Sequence, residues 1–221
     1  INDEIDRLRH SATQAVLERR DVVVVASVSC IYGLGSPEEY QKNVVNFRVG
    51  ESYTRDEILR KLIRMQFVRN DMALGRGTFR IKGDIFEIQP VDEEVITRVE
   101  FFGDEVEKIS IIDPVTGEIS SIRDRISIYP ATHYVTPAED IEEILKAIED
   151  EMVERVAWFE KRGRLLEAQR IEQRTRYDME MIREVGYCNG IENYSRILDG
   201  RPAGSPPSTL LSFFPDDFLL F

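Results

Sequence analysis

Two glycines, Gly33 and Gly35, have the spacing with which a dinucleotide-binding loop begins. In that motif, G-x-G-x-x-G, a third glycine follows, and its position is occupied here by Glu38. A carboxylate would repel a pyrophosphate, so this spacing does not predict a dinucleotide site. No G-x-x-x-x-G-K-[ST] loop occurs either. The sequence therefore lacks the usual lysine and hydroxyl that hold the phosphates and Mg²⁺ of ATP.

Acidic and histidine residues give no better evidence of catalysis. The acidic runs at 92–94 and 149–151 are predicted to be a solvated turn and a solvated helix surface rather than metal sites. His10 and His133 stand alone in the sequence, with no serine or cysteine nucleophile motif nearby. A zinc site needs about four ligands in tight spacing, so none is predicted. On its residues alone, the chain is expected to be non-catalytic.

A cluster of cations is harder to dismiss. It comes from predicted strands and their approaches: Arg69, Arg76, Arg80, Lys82 and Arg98. A solvated strand face is the default interpretation. The alternative is a protein-binding patch, because the planar fork of arginine makes two hydrogen bonds at once to a carboxylate.

Composition limits the choice of partner and compartment. The net charge of −12 argues against this chain gripping a DNA duplex by phosphate neutralisation alone. No apolar run approaches the roughly 20 residues that span a membrane, and no signal peptide is visible. Cys30 and Cys188 are too few for a disulfide framework and are expected to be buried thiols. We expect a cytoplasmic protein without a membrane partner.

The elements that would position these residues follow from periodicity. Residues 2–19 are predicted to form an amphipathic helix. The β-branched run Val22–Ala26 does not alternate and predicts a parallel strand buried on both faces. Ser36-Pro37-Glu38-Glu39 and Thr54-Arg55-Asp56-Glu57 predict two capped helices, over 36–46 and from Thr54 to about Phe67. The glycine loop would then lie just beyond the end of a strand, where open α/β sheets bind ligands.

From Arg76 the period changes to two, which predicts short, antiparallel strands as far as Tyr129. Gly83 is predicted to be a bulge within one of them. An antiparallel helical hairpin is predicted from Thr136 to Gly186, with its turn at Gly163. Apolar residues at 209–214 and 218–221 predict a buried strand. A chain that stops there is expected to be cut from a longer protein.

Six blocks of this sequence resemble UvrB, the second of the three protein families of the bacterial excinuclease ABC. They are VVVVASVSCIYGLGSPEEY, RGTFRIKGDIFEI, RVEFFGDE, YPATHYVTP, LLEAQRIEQRTRYDMEMI and GYCNGIENYSR. The blocks follow one another in order over the whole chain. The resemblance implies the middle of a helicase-like ATPase of nucleotide excision repair. UvrA delivers such a protein to damaged DNA, where it verifies the lesion and recruits UvrC for incision.

The implied fold is α/β with an α+β insert. Residues 1–35 and 209–221 would be part of a RecA-like helicase lobe with a parallel sheet. Residues 36–133 would form a small, mainly antiparallel UvrA-interacting domain, and 134–208 a mostly helical insert. The family's phosphate loop and DNA-probing β-hairpin would precede this chain. Its Mg²⁺-coordinating Asp-Glu-Ser-His and its UvrC-binding segment would follow. ATP and Mg²⁺ thus belong to the parent protein, and this chain is expected to bind no cofactor and to be inactive alone.

The resemblance also implies three sets of site residues. The residues expected to face UvrA are Arg69, Arg80, Lys82, Arg98 and Glu100. The residues expected to touch the DNA strand are Ser27, Ser29 and Tyr32, since a hydroxyl suits a phosphate and an aromatic ring suits a base. Arg174 and Glu192 are expected to support the DNA-probing hairpin. Lys82 stands where relatives often have arginine, and a lysine lacks the planar fork that makes a bidentate contact.

Three hypotheses remain open at this stage. The first is a protein-interaction module that binds UvrA through the basic face of residues 69–100. The second is a catalytic fragment that turns over ATP or unwinds DNA, which the missing phosphate loop disfavours. The third is the related N-terminal region of a transcription–repair coupling factor. The intact GYCNGIENYSR block and the charged patch favour UvrB.

Overall fold

A computed structural model describes residues 3–28, 31–134 and 141–221 of the chain. The chain divides into two compact units, one formed by Ile1–Val135 with Ser208–Phe221 and the other by Thr136–Pro207. The two segments that the resemblance assigns to a helicase lobe thus belong to the same unit as the predicted interaction domain. The finer division of the chain into four parts stays a prediction.

The first unit combines helices with two sheets. Its helices are α1 (Asp3–Glu18), α2 (Pro37–Lys42) and α3 (Arg55–Arg64), and a 3₁₀ helix spans Leu210–Phe213. Its strands are β1 (Val45–Arg48), β2 (Val68–Arg69), β3 (Thr78–Lys82), β4 (Ile85–Gln89), β5 (Ile96–Phe102), β6 (Glu105–Ile112), β7 (Ile119–Arg123) and β8 (Arg125–Ile128).

The strands from β2 to β7 form one sheet in sequence order, while β1 pairs with β8 in a separate ladder. The large sheet is antiparallel except for the short parallel pair β2–β3. The predicted bulge at Gly83 is wrong. Lys82 pairs with Ile85, so Gly83 and Asp84 form a two-residue hairpin loop. Gly83 has a φ of 62°, which a two-residue hairpin requires and a glycine adopts at little cost.

Capping residues predict where the helices start better than where they end. Pro37 occupies the first turn of α2, and the Glu39 amide donates to the Ser36 hydroxyl at 3.4 Å. The helix ends at Lys42, before the predicted position 46, because β1 begins at Val45 and pairs with β8. Helix α3 begins after Thr54, but the Thr54 side chain makes no capping hydrogen bond.

One face of the large sheet packs against α3. The side chains of Ile58 and Leu62 on α3 join a core of buried apolar residues from the sheet and its connections. The sheet contributes Phe79, Phe86, Ile88, Val99, Phe101, Val106 and Ile109. On β3, β4 and β5 these residues share one face because side chains alternate along a strand. Residues between them must therefore point to the other face. On β6, Val106 and Ile109 are three residues apart, and the register shift opposite Glu100 and Phe101 brings both to the core face.

Two predicted strands are absent from the described residues. Residues 22–26 form no strand, and Val23 and Val25 are 91% and 95% exposed. A strand needs a neighbour for its backbone hydrogen bonds, and no described residue pairs with this segment. At 209–214 the chain forms the 3₁₀ helix instead, with the hydroxyls of Thr209 and Ser212 capping each other's backbone. Leu219, Leu220 and Phe221 are exposed.

His10 and His133 do not stand alone in space. Their rings stack with centroids 3.9 Å apart, and both side chains are buried beside Tyr40. The His133 Nε2 lies 3.1 Å from the Thr13 hydroxyl, and the His10 Nδ1 lies 3.3 Å from the Tyr40 hydroxyl. Burial lowers the pKa of His10 to about 4 and that of His133 well below its ordinary value. This polar cluster joins α1 to the end of the sheet domain.

The second unit is a helical hairpin with a short extension. Helix α4 spans Ile141–Glu160 and helix α5 spans Leu165–Val185. A 3₁₀ helix (Ile191–Tyr194) and helix α6 (Ser195–Leu198) follow. Gly186 ends α5 with a φ of 76°, and its amide donates to the Ile182 carbonyl. The predicted start of the first helix, residues 136–139, lies outside the described residues.

Gly35 should tolerate no side chain. A Cβ built there would lie 2.4 Å from the His133 carbonyl oxygen, which is backbone and cannot swing away. Gly35→Ala should therefore lower the free energy of unfolding by about 2 kcal/mol. Gly75→Ala is the matched control, since nothing lies within 4 Å of its Cβ. Urea denaturation measures both, and equal stability of the two variants would contradict the expectation.

Mild acid should destabilise the first unit. Unfolded histidine has a pKa of about 6.5, so the unfolded chain binds protons that buried His10 and His133 do not. Stability is full above that pH and is lost as the pH falls below it. Asp92 opposes this trend, because burial raises its pKa to about 6. The net loss by pH 5 should be on the order of 2 kcal/mol.

Thermal denaturation followed by circular dichroism measures this effect. Asp92→Asn should make the loss of stability in mild acid larger, because it removes the carboxyl group whose raised pKa opposes that loss. An unfolding midpoint that does not change between neutral pH and about pH 5 would show that the histidine pair is not buried in its neutral form.

Candidate partner-binding face

The predicted UvrA-facing residues lie mainly on the face of the large sheet opposite α3. Strand register places Arg80 opposite Glu87, and Glu87 opposite Arg98. In the next row, Lys82 lies opposite Ile85, and Ile85 lies opposite Glu100. We call these five polar residues the charged face: Arg80, Lys82, Glu87, Arg98 and Glu100. The sheet thus brings four of the five predicted residues together, on β3 and β5, with Glu87 of β4 between them.

Glu87 is the centre of the charged face. The Arg80 Nε donates to Glu87 Oε2 at 2.5 Å, while Nε and Nη2 of Arg98 donate to Oε1 at 2.9 and 2.6 Å. The Glu87 side chain is only 6% exposed, against 22% and 32% for the two arginines. Burial raises the pKa of Glu87, but the two guanidinium groups outweigh burial and hold that pKa below its ordinary value. Glu87 is therefore a buried anion between two cations.

Arg69, the fifth predicted residue, lies at the sheet edge. It is on β2, where its register partner is Phe79 of the core face rather than Arg80. Its guanidinium pairs with Asp71 at 3.0 Å. The hydrogen bond from Arg69 is the main cause that lowers the pKa of Asp71, and Lys82 contributes more weakly. Arg69 is therefore neutralised at the sheet edge by Asp71.

Arg76 does not belong to this face, although the sequence groups it with these cations. Its Nε donates to the Val91 carbonyl at 3.0 Å, and its Nη2 donates to the Asp6 carboxylate at 3.3 Å. These contacts attach α1 to the sheet. Sequence reasoning also misses Glu87. The sequence IFEIQ could have revealed Glu87, because it places an acid between the apolar residues Phe86 and Ile88, on the strand after that of Arg80.

The predicted DNA-facing loop is only partly described. Ser29 and Cys30 lie outside the described residues. Ser27 is exposed and lines an apolar cavity of about 360 Å³ between α1 and residues 24–27. Tyr32 is 57% exposed, and its carbonyl accepts a hydrogen bond from Arg9 Nη2 at 2.8 Å. A serine and an aromatic ring are thus accessible on this side of α1, but DNA contact stays a prediction.

The predicted hairpin-supporting pair lies in the helical unit. Arg174 donates to both oxygens of buried Asp178, and its Nη2 donates to the Asn189 carbonyl. Asp178 also accepts from the Tyr194 hydroxyl at 2.8 Å. Glu192 is exposed on the 3₁₀ helix that follows. Arg174 therefore fixes the loop after α5, and a role toward a hairpin stays a prediction.

Within residues 3–28, 31–134 and 141–221, no group of three or more His, Cys, Asp and Glu side chains could hold a metal ion. The only thiol in that part of the chain, Cys188, is free and buried, and burial raises its pKa to about 11. None of the helices described there is both long and apolar enough to cross a membrane.

Replacing Glu87 should destabilise the sheet domain. Glu87→Gln keeps the shape of the side chain but leaves two partly buried guanidinium groups without a carboxylate. The expected loss is about 1–3 kcal/mol at pH 7. It should shrink in acid, as the pH falls through the lowered pKa of Glu87 and the carboxylate of the unmodified chain becomes protonated.

Glu100→Gln is the control for this variant. It removes the same charge from the same face at a less buried position and should cost well under 1 kcal/mol. Urea denaturation at pH 7 compares the two. Equal losses would mean that burial of Glu87 between the arginines is not what stabilises the face.

Comparison with known proteins agrees with this geometry. A family model of the UvrB interaction domain matches residues 45–134, and one of the UvrB third helical domain matches residues 139–200. The chain is 57% identical over 220 residues to the UvrABC system protein B of Streptomyces coelicolor. The values over 221 residues are 59% for a Synechococcus strain and 58% for Bacillus subtilis.

These alignments cover 100% of this chain and 31%, 32% and 33% of the three relatives. The chain therefore spans about a third of the length of the curated relatives it matches. Two UvrB domain models in succession, and identity above one half along the whole chain, lead to one assignment. The chain belongs to the UvrB family, as a central segment that carries the interaction domain and the third helical domain.

Proposed function

We propose that this chain is the UvrA-binding module of a UvrB protein and that the charged face is its contact surface. The observation that carries the proposal is the Arg80–Glu87–Arg98 row on the side of the sheet opposite α3. It lies inside the region matched by the UvrB interaction domain. Relatives of the chain bear the name UvrABC system protein B.

Hydrogen-bond geometry supports this role. Arg80 contacts Glu87 through Nε, which leaves its two terminal amino groups for a partner carboxylate. Arg98 uses Nε and Nη2, so Nη1 remains. Lys82 is exposed beside them. Guanidinium groups held in place lose little entropy when a partner binds, so a larger share of the contact energy appears as affinity.

In the parent protein, this module would act within nucleotide excision repair in the cytoplasm. UvrA would load the protein on damaged DNA, ATP and Mg²⁺ would bind outside this chain, and UvrC would be recruited through the C-terminal part. Residues 1–35 and 209–221 would complete a RecA-like lobe with a parallel sheet. Ser27, Ser29 and Tyr32 would contribute a partial DNA-facing surface to it.

Substitutions on the charged face should weaken binding to UvrA. Lys82→Glu reverses an exposed charge. Arg98→Gln removes one guanidinium group and keeps a polar side chain. Each should raise the Kd for UvrA at least tenfold, a loss of about 1.4 kcal/mol. Isothermal titration calorimetry measures the Kd, and circular dichroism verifies that each variant is folded.

Arg64→Glu is the matched control, because Arg64 is exposed on α3, away from the charged face. It should bind as the unmodified chain does. Wild-type affinity in both face variants would exclude the charged face as the contact surface. Absence of any binding by the folded, unmodified chain would exclude the module itself.

A further inference from the structure

The helical unit carries an aromatic and cationic surface that the proposed function does not use. Trp158, the chain's single tryptophan, lies near the end of α4 with two guanidinium groups over its ring. Arg155 Cζ is 4.3 Å and Arg162 Cζ 3.8 Å from the ring centroid. Phe159 packs edge to face on Trp158 at 5.0 Å and lies 4.9 Å from Arg155 Cζ. These are cation–π distances.

Two of the three guanidinium groups that lie over these rings have no ion-pair partner among the described residues. Arg164 pairs with Glu167 at 2.7 Å. Within the described part of the chain, no carboxylate lies within ion-pair distance of Arg155 or Arg162. Residues 154–164 contain four cations and two acids, in a chain whose net charge is −12. The end of α4 and the turn after it therefore form a locally positive surface.

A groove begins at the same place. It has a volume of about 520 Å³, and Trp158 and Arg155 line it together with Asn193, Tyr194 and Arg196. Its other lining residues include the apolar side chains of Ile148, Met152, Ile171 and Ile197. An apolar lining with aromatic rings, an amide and guanidinium groups at its rim suits a nucleobase, which has a flat face and polar edges.

We propose that Trp158, Phe159, Arg155 and Arg162 form a binding surface for single-stranded nucleic acid. A base extends the existing stack of guanidinium on indole, and the free edges of the arginines bind the adjacent phosphates. In a duplex the faces of the bases are stacked on one another, so a duplex could contact only the guanidinium groups of this surface, through its phosphates. An acidic protein segment would likewise use the charges and leave the rings without a role. The surface adds a nucleic-acid contact to the proposed function and is independent of UvrA.

The single tryptophan reports directly on this site. Titration of the whole chain with a thymidine oligonucleotide should quench Trp158 fluorescence, because a base stacked on the guanidinium–indole pair changes the surroundings of the indole. The affinity should fall with salt, with a slope of log K against log [salt] of about −1.4 for two phosphate contacts. A duplex of equal length should quench far less.

Arg155→Gln and Arg162→Gln should each weaken quenching at least fivefold. Lys146→Gln, on the same helix at an exposed position, is the matched control and should bind as the unmodified chain does. Circular dichroism verifies that the variants are folded. Their Kd for UvrA should not change, so this inference and the UvrA proposal fail separately.

Three outcomes would overturn the inference. One is oligonucleotide binding, detected by anisotropy of a labelled strand, without any change in Trp158 fluorescence. The second is unchanged quenching in both arginine variants. The third is equal quenching by polyglutamate, which would assign the surface to an acidic protein partner instead.

Discussion

Side chains alternate across a β-strand, and this constraint couples the core of the sheet domain to its charged face. Phe79 can reach the core under α3 only if Arg80 points the other way, and the same holds for Phe86 and Glu87. A one-residue slip in register would bury the guanidinium groups and expose the phenyl rings. The hydrophobic core therefore sets the register, and the register sets which charges meet. The strand register alone is therefore enough to bring the residues of the charged face together.

The same constraint explains what could be predicted from sequence. Alternation revealed the strands from Thr78 to Ile128, and capping residues revealed where α2 and α3 begin. Neither signal says which strand lies beside which, so the place of Glu87 between Arg80 and Arg98 became visible only in the register. Apolar runs gave a wrong strand prediction where no described strand lies alongside to accept and donate the backbone hydrogen bonds. Val22–Ala26 looks like a buried strand by composition, but composition carries no information about hydrogen-bond partners.

The buried histidine pair shows a second limit of sequence reasoning. His10 and His133 are far apart in the chain, yet their rings stack because α1 packs against the end of the sheet domain. The close approach of Gly35 to the His133 carbonyl belongs to the same junction. Burial of polar rings is tolerated because Thr13 and Tyr40 provide partners for their nitrogens. A pattern of apolar residues cannot reveal such a junction, since its specific contacts are polar.

The buried carboxylate of Glu87 joins stability and recognition in one interaction. Taking a carboxylate out of water is costly, and the cost is offset here only because two guanidinium groups share it. Lysine at 80 or 98 would keep the charge, but it lacks the planar fork with which an arginine holds Glu87 and presents its remaining N–H groups in a fixed direction. Lys82, by contrast, forms no ion pair with a buried anion among the described residues. The geometry thus distinguishes the two arginines that hold a buried carboxylate from a lysine that does not.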